Sequence, residues 1–248
     1  MKKIIMICVL LGVAVLFSGC LVIPFDGGGI AANAVQDTGQ RVSRDFTVSD
    51  FTGIDITGAY VVVYRQANAG AVTIDMQENL FDYLEVSVHN GVLRINSDRP
   101  FRTNRNYTPR IYVSAPYLDT VILNAAIDTE DWDEIATDRL NVNVSGAANV
   151  IIPMDVEELD IRISGAADFE LSGAATSVNI SVSGAGDVDA VNLQTRTATI
   201  NIAGAGNTDI AVSDSLNVTI AGTGRVRYVG SPQVTRSIAG VGSVQRME

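Results

Sequence analysis

Cysteine and histidine are almost missing from this sequence of 248 residues. The two cysteines are Cys8 and Cys20, and the one histidine is His89. A disulfide framework, or a zinc site built from cysteine and histidine, needs more of these residues. A Ser-His-Asp triad would need His89, but the sequence has no Gly-x-Ser-x-Gly motif to supply the nucleophilic serine. The Asn90-Gly91 pair that follows His89 is instead typical of a β-hairpin turn. We therefore predict a turn position for His89 and no catalytic residues.

Positive charge is scarce too, and so are aromatic side chains in the second half of the chain. After Trp132 the only aromatic residues are Phe169 and Tyr228. The sequence has 28 acidic against 17 basic residues, which gives a net charge of −11. A chain this acidic is repelled by phosphate backbones. Nucleic acid is therefore excluded as the main partner.

The N-terminus has the three parts of a secretory signal. A basic pair, Lys2-Lys3, precedes an apolar run over residues 4–17, which is shorter than the roughly 20 residues of a membrane-spanning helix. The small residues of Ser18-Gly19-Cys20 then resemble the lipobox of bacterial lipoproteins. We expect residues 1–19 to be removed and Cys20 to carry the acyl chains, palmitate among them. An uncleaved anchor helix is the alternative, and it too would leave the body outside the cytoplasm.

The segment after Cys20 is predicted to be a tether. Residues 20–40 contain three successive glycines and no hydrophobic periodicity, which is typical of a flexible linker. Residues 1–19 carry two lysines and no acid, so their removal leaves a mature chain that is more acidic still. We therefore expect an exported protein bound to a membrane through the Cys20 lipid. Its body would lie in the periplasm or on the cell surface, with the outer membrane as the anchor site in a Gram-negative cell.

A glycine-containing motif repeats at a nearly constant interval from Leu118 onward. Each copy has serine or alanine, then glycine, then small residues. The first glycines of the six clear copies are Gly146, Gly165, Gly184, Gly204, Gly222 and Gly240. Asn124-Ala125-Ala126 is an earlier, degenerate copy. A period of about 20 residues with a glycine turn in each unit is typical of a solenoid.

Apolar and polar residues alternate strictly within each copy. The residues two before each glycine are Leu123, Val144, Ile163, Val182, Ile202, Ile220 and Ile238. The residues four before are also aliphatic, except Arg236, and polar residues lie between. This pattern predicts strands with one buried face. The fold class is therefore all-β: a parallel β-helix, or β-solenoid, of six or seven rungs over residues 118–248.

Residues 41–117 are predicted to be an irregular β-rich cap that shields the first rung. Its segments alternate less regularly, and residues 77–83 are expected to form one or two helical turns. Asp98–Arg110 is a basic, aromatic loop for which two interpretations stay open, a solvated loop or a contact with an anionic glycan or partner. Trp132 also has two open interpretations: it is a core residue over the first rung, or an exposed ring that stacks on sugar.

Two outward columns after the glycines are rich in carboxylates. Their acidic members in the middle rungs are Asp168, Glu170, Asp187, Asp189 and Asp209. Gly204-x-Gly206-Asn207-x-Asp209 partly resembles a calcium roll, so the weak candidates for a metal are Asp187, Asp189 and Asp209. Carboxylates one rung apart, about 4.8 Å, do not converge as calcium requires. We therefore predict no metal and no cofactor, with a solvated face, or carboxylates that act on sugar chains, as the remaining interpretations.

Several segments together resemble a known family, the putative auto-transporter adhesin "head GIN" domain. They are residues 51–58, 88–95, 115–118, the serial Ser-Gly-Ala-Gly repeats and residues 222–232. The resemblance covers about residues 45–246, so residues 41–248 are expected to form one such domain. It implies an all-β, helix-like fold on a secreted or lipid-anchored protein, and it brings no catalytic residues.

The function we predict is that of a non-enzymatic envelope lipoprotein whose β-helix presents a surface for binding or adhesion, to glycan or protein. One alternative is a polysaccharide lyase or hydrolase, or a glycan-binding protein, that uses the acidic stripe. A purely structural envelope component is another.

Overall fold

The computed structural model describes residues 33–102 and 107–247, and Ala34–Glu248 makes up one compact unit. The predicted signal peptide, Cys20 and most of the predicted tether lie outside the described residues. Within the described ranges, no helix has the length and apolarity to cross a membrane.

A parallel β-solenoid of about 7 turns forms the body, as the repeats predict. Its strands are β9 (Thr120–Thr129), β10 (Ile135–Val144), β11 (Ala147–Ile163), β12 (Ala166–Val182), β13 (Ala185–Ile202), β14 (Ala205–Ile220), β15 (Thr223–Val229), β16 (Gln233–Ile238) and β17 (Val241–Arg246). Every pairing among them is parallel, and β11 to β12 keeps one register from Ala147 opposite Ala166 to Ile163 opposite Val182. The glycine spacing therefore predicts the stacking register as well as the fold.

The first rung begins earlier than the repeats suggest. Strand β3 (Gly53–Gln66) pairs in parallel with β9, and Gly58 lies opposite Ala125. Thr57-Gly58-Ala59 is therefore one more copy of the motif. This position differs from the prediction that residues 41–117 form the cap, because a long insertion separates Gly58 from its counterpart Ala125 and interrupts the period of the repeats.

That insertion and the two strands before β3 build the cap. The remaining strands are β1 (Val35–Gln36), β2 (Arg41–Phe46), β4 (Ala71–Gln77), β5 (Leu84–His89), β6 (Val92–Ser97), β7 (Phe101–Arg102) and β8 (Arg110–Ala115). A 3-10 helix over Glu78–Tyr83 confirms the predicted helical turns. Strands β6 and β8 add in parallel to β3, whereas β5, β4 and β2 add antiparallel beyond them. At this end the sheet therefore continues in strands of mixed direction: β4 and β5 run against the rungs, and β2 runs with them.

The inward columns form one continuous core. Ile161, Ile180, Ile200 and Val218, all four residues before a repeat glycine, are fully buried. Trp132 is 7% exposed, its indole nitrogen donates a hydrogen bond to the Val62 oxygen at 2.8 Å, and its ring lies 5.7 Å from that of Tyr64. The interpretation of Trp132 as a core residue over the first rung is confirmed.

The turn of the degenerate copy differs from those at the repeat glycines from Gly146 to Gly240, none of which has a positive φ. Ala125 has φ +81°, a conformation that alanine adopts only at a cost. The Asn124 amide donates to Asp55 Oδ1 at 3.0 Å, and it also reaches the Thr57 hydroxyl, while Ser145 donates to the Asn124 oxygen. Hydrogen bonds between rungs thus hold the backbone of this turn where its own residue type does not favour it.

Candidate ligand-binding face

Three outward columns run side by side along one side of the solenoid, and we call this surface the columnar face. The small-residue column contains Ala59, Ala126, Ala147, Ala166, Ala185, Ala205 and Thr223. The Asp/Asn column contains Asp128, Asn149, Asp168, Asp187, Asn207 and Arg225. The outermost column contains Ile151, Glu170, Asp189, Asp209 and Arg227. The two predicted carboxylate-rich columns are therefore confirmed as ladders in register.

Two open grooves lie between these columns. The first has a volume of about 700 Å³, a floor of exposed alanines, and a wall formed by the Asp/Asn column; Thr108 lines one end. The second, of about 450 Å³, runs between the Asp/Asn column and the outermost column, and Arg225 and Arg227 line its far end. Both grooves cross successive rungs, so an extended ligand laid along them would meet similar groups at each step of about 4.8 Å.

Hydrogen bonds fix the three predicted metal candidates along the face. Asp187 Oδ1 accepts from the backbone nitrogen of Asn207 at 3.0 Å and from its side-chain amide at 2.8 Å. Asp189 Oδ1 accepts from the backbone nitrogen of Val191 at 3.2 Å. Asp209 accepts two hydrogen bonds from the Arg227 guanidinium, one of them from Nε at 2.7 Å. Each carboxylate is therefore oriented by its own neighbour.

The Asp209–Arg227 pair bears directly on the calcium hypothesis. Hydrogen bonding to Asp209 raises the pKa of Arg227, so the guanidinium is held as a cation beside the carboxylate. A metal ion at Asp209 would have to displace that cation. Over residues 33–102 and 107–247, no group of three or more histidine, cysteine, aspartate or glutamate residues is arranged to hold a metal.

Some charged residues of the loop over 98–110 contact neighbouring parts of the cap and of the first rungs. The Arg99 guanidinium lies 5.3 Å from the Tyr83 ring centre, and Arg110 forms an ion pair with Glu130 at 2.8 Å. Of this loop, residues 103–106 lie outside the described part of the chain. The described members therefore favour a structural role over a free basic surface.

A buried cluster around Asp75 has no periodic signal in the sequence. Asp75 is 8% exposed and forms an ion pair with Arg41, while the Tyr107 hydroxyl donates to its backbone oxygen at 2.5 Å. The hydrogen bonds and charge of Arg41 lower the pKa of the Asp75 carboxyl, and burial, with the charge of Asp75, raises the pKa of Tyr107 to about 12. Arg41 is 34 residues from Asp75 in the chain, so only the β2–β4 pairing brings them together.

His89 ends β5, directly before the turn, as predicted. Asn90 and Gly91 both have positive φ, +52° and +76°, as a two-residue hairpin turn requires. Cys20, the predicted lipidation site, lies outside the described residues.

Comparison with known proteins places the fold in a recognised group. A family model described as "Putative auto-transporter adhesin, head GIN domain" matches residues 50–232. Among the curated proteins, none matches the chain significantly.

Solved structures of similar fold include proteins of Bacteroides and Parabacteroides species. One is a "putative adhesin" of Bacteroides fragilis, with a TM-score of 0.79 and 21% identity over 86% of this chain and 100% of that one. A "putative lipid binding protein" of Parabacteroides distasonis has a TM-score of 0.68 and 20% identity, over 87% of this chain and 100% of that one. A "putative adhesin" of Parabacteroides merdae has a TM-score of 0.62 and 20% identity, over 87% of this chain and 100% of that one. At these identities the likeness shows the shared fold.

Proposed function

Since this chain belongs to the family described as "Putative auto-transporter adhesin, head GIN domain", we propose that it is a non-enzymatic binding protein of the adhesin type, displayed from the cell envelope. The observation that carries the proposal is the columnar face. Its two grooves are open along their length and repeat the same outward groups from rung to rung. Such a surface suits an extended ligand with a repeating structure, a glycan chain first of all.

The physical basis of this binding would be many weak contacts. A floor of alanine offers shallow apolar contact at each rung, and the Asp/Asn column offers hydrogen-bond acceptors beside it. Single exposed contacts of this kind are weak, but linked contacts along one ligand act at high effective concentration. Affinity should therefore rise with the length of the ligand.

The anchor is part of the same proposal. Acylation of Cys20 would hold the protein at a membrane, with residues 21–40 as the tether. This follows from the apolar run and the small residues before Cys20. The columnar face would then be presented outside the cytoplasm, where polysaccharides and other cells are met.

A glycan array probed with the full-length protein in non-ionic detergent tests the proposal. We expect binding that strengthens with chain length. Ala166→Gln with Ala185→Gln should weaken it, because the longer side chains fill the first groove. Ala203→Gln is the matched control, because Ala203 is also exposed but lies outside the columnar face.

Two outcomes would overturn the proposal. If the groove variant binds every glycan as well as the unaltered protein, the columnar face is not the binding surface. If the array shows cleavage of bound chains, abolished by Asp187→Asn, the carboxylates act as an enzyme on sugar and the non-enzymatic assignment is wrong.

A further inference from the structure

The two ends of the solenoid differ in how their edges are treated. At the cap end, β4 and β5 run antiparallel to the rungs, and β2 pairs antiparallel with β4 beyond them. At the other end, within the described residues, β16 pairs only with β14 and β17 only with β15. One edge of each strand therefore has unpaired backbone N–H and C=O groups. Such an edge is a template for a further strand.

The free end is also basic, on a chain that is otherwise acidic. From residue 215 onward the sequence contains four arginines, Arg225, Arg227, Arg236 and Arg246, no lysine and no aspartate, and Glu248 is its single acidic residue. Arg227 is paired with Asp209. In the part of the chain that the structure describes, the other three have no carboxylate partner, whereas every arginine from residue 118 to residue 214 forms an ion pair. Unneutralised positive charge in the solenoid is thus confined to its last two rungs.

Aliphatic side chains are exposed on the same end. Ile238 is 39% exposed and Val241 is 74% exposed. A shallow cavity of about 520 Å³ opens there between Arg236 and Ile238 on β16 and residues 242–245. The end of the core is therefore accessible to side chains from outside.

Arg236 decides which partner this end accepts. It occupies the inward column directly above Val218, and its Nη1 donates to the Val244 oxygen at 3.4 Å. A second copy that brought the same end would set arginine against arginine, which is unfavourable in a poorly solvated contact. An acidic partner would instead place a carboxylate beside the Arg236 guanidinium at the exposed end of the core.

We propose that the rung formed by β16 and β17 is a docking site for an extended acidic segment of another protein, which adds as the next strand of the solenoid. The unpaired backbone groups call for a polypeptide, since strand addition is satisfied by another backbone. Arg236 and Arg246 favour acidic side chains in the partner, and the exposed Ile238 and Val241 favour aliphatic ones. This site lies apart from the grooves of the columnar face, so it stands independently of the proposed glycan binding.

A peptide titration tests the proposal on the full-length protein in non-ionic detergent. The probe is a fluorescein-labelled peptide of six residues, the length of β16 and of β17, that alternates valine and glutamate. One control peptide has lysine in place of glutamate, and a second keeps glutamate but has a central proline, which cannot pair as a strand. We expect the fluorescence anisotropy to rise with the first peptide only.

Matched protein variants locate the site. Arg236→Gln with Arg246→Gln should weaken binding of the valine–glutamate peptide about tenfold, the effect of removing exposed charge contacts. Arg139→Gln with Arg196→Gln removes two arginines from earlier rungs and should leave the affinity unchanged, as should the groove variant Ala166→Gln with Ala185→Gln. Hydrogen–deuterium exchange should slow in residues 233–246 when the peptide is bound.

Three results would overturn the proposal. Equal binding of the lysine peptide would remove the charge argument. Equal binding of the proline peptide would show that no strand is added. If polygalacturonate binds more tightly than the peptide and loses its affinity in the Arg236→Gln, Arg246→Gln variant, the end rung recognises an anionic polysaccharide and not a protein.

Discussion

Gly222 lies directly over Gly204, so closely that a Cβ on Gly222 would be 1.9 Å from the carbonyl oxygen of Gly204. This contact recurs at the repeat turns from Gly165 onward, where one glycine rests on the backbone of the glycine one rung before. The first glycine of the motif is therefore required by the stacking distance.

The first prediction concerns this contact. Gly222→Ala should destabilise the protein by about 1–3 kcal/mol or more, because two rungs must separate to admit the methyl group. Ala221→Ser, at the exposed neighbouring position, should stay within about 0.5 kcal/mol of the unaltered protein. Urea unfolding measures both. Equal midpoints for the two variants would show that the turns do not stack as described.

A second prediction compares two threonines in one inward column. Thr208 is fully buried and its hydroxyl has no hydrogen-bond partner, whereas the Thr129 hydroxyl accepts from the backbone nitrogen of Ile151 at 2.6 Å. Thr208→Val should therefore stabilise the protein by about 1 kcal/mol, and Thr129→Val should destabilise it by a similar amount. Thermal melts show whether each variant raises or lowers the stability of the protein. A loss of stability in both variants would contradict the hydrogen-bond assignment of Thr208.

A third prediction concerns acid stability. The folded-state pKa of Asp75 lies below its ordinary value because of Arg41, so the ionised carboxyl stabilises the fold. This stability is fully present above the unfolded-state pKa, about 3.9, and is lost as the pH falls from there through the folded-state pKa. Asp75→Asn should be less stable at neutral pH and lose less on acidification. Asp138→Asn, at an exposed site, should retain the parental pH dependence of the free energy of unfolding.

Calcium should have no specific effect on stability. Asp209 is already paired with Arg227, and Asp187 and Asp189 are oriented by different neighbours. Thermal melts in millimolar calcium should therefore match melts in sodium of equal ionic strength, because both salts act by screening. A calcium-specific rise in Tm that Asp209→Asn abolishes would establish a metal site and overturn this expectation.

The lipid anchor has a direct chemical test. Cys20→Ala should yield a chain that keeps residues 1–19 and incorporates no labelled palmitate in bacterial cells, because the acylated thiol is missing. Cys8→Ala should be processed and labelled normally, since Cys8 belongs to the segment that is removed. Labelling of the Cys20→Ala chain at the unaltered level would disprove the anchor assignment.

The amino-acid sequence by itself determined the rungs. Alternation in segments such as Val142-Asn143-Val144 and Ile161-Arg162-Ile163 requires one buried face, and the glycine spacing sets how these faces stack. Both are local signals that recur at a constant period, so they predicted the strands, the solenoid and the carboxylate columns. The hairpin at Asn90-Gly91 was predictable for the same reason, since two adjacent residues determine the turn.

Contacts between distant segments were decided only by the tertiary structure. Gly58 joined the repeat column although a long insertion separates it from Ala125, and no period survives an insertion of that size. Arg41 reached Asp75 through an antiparallel pairing that neither segment specifies alone. The unpaired edge of β16 and β17 depended on which strands cover each end of the solenoid. Backbone pairing is non-local, so the residues it brings together leave no periodic trace in the chain.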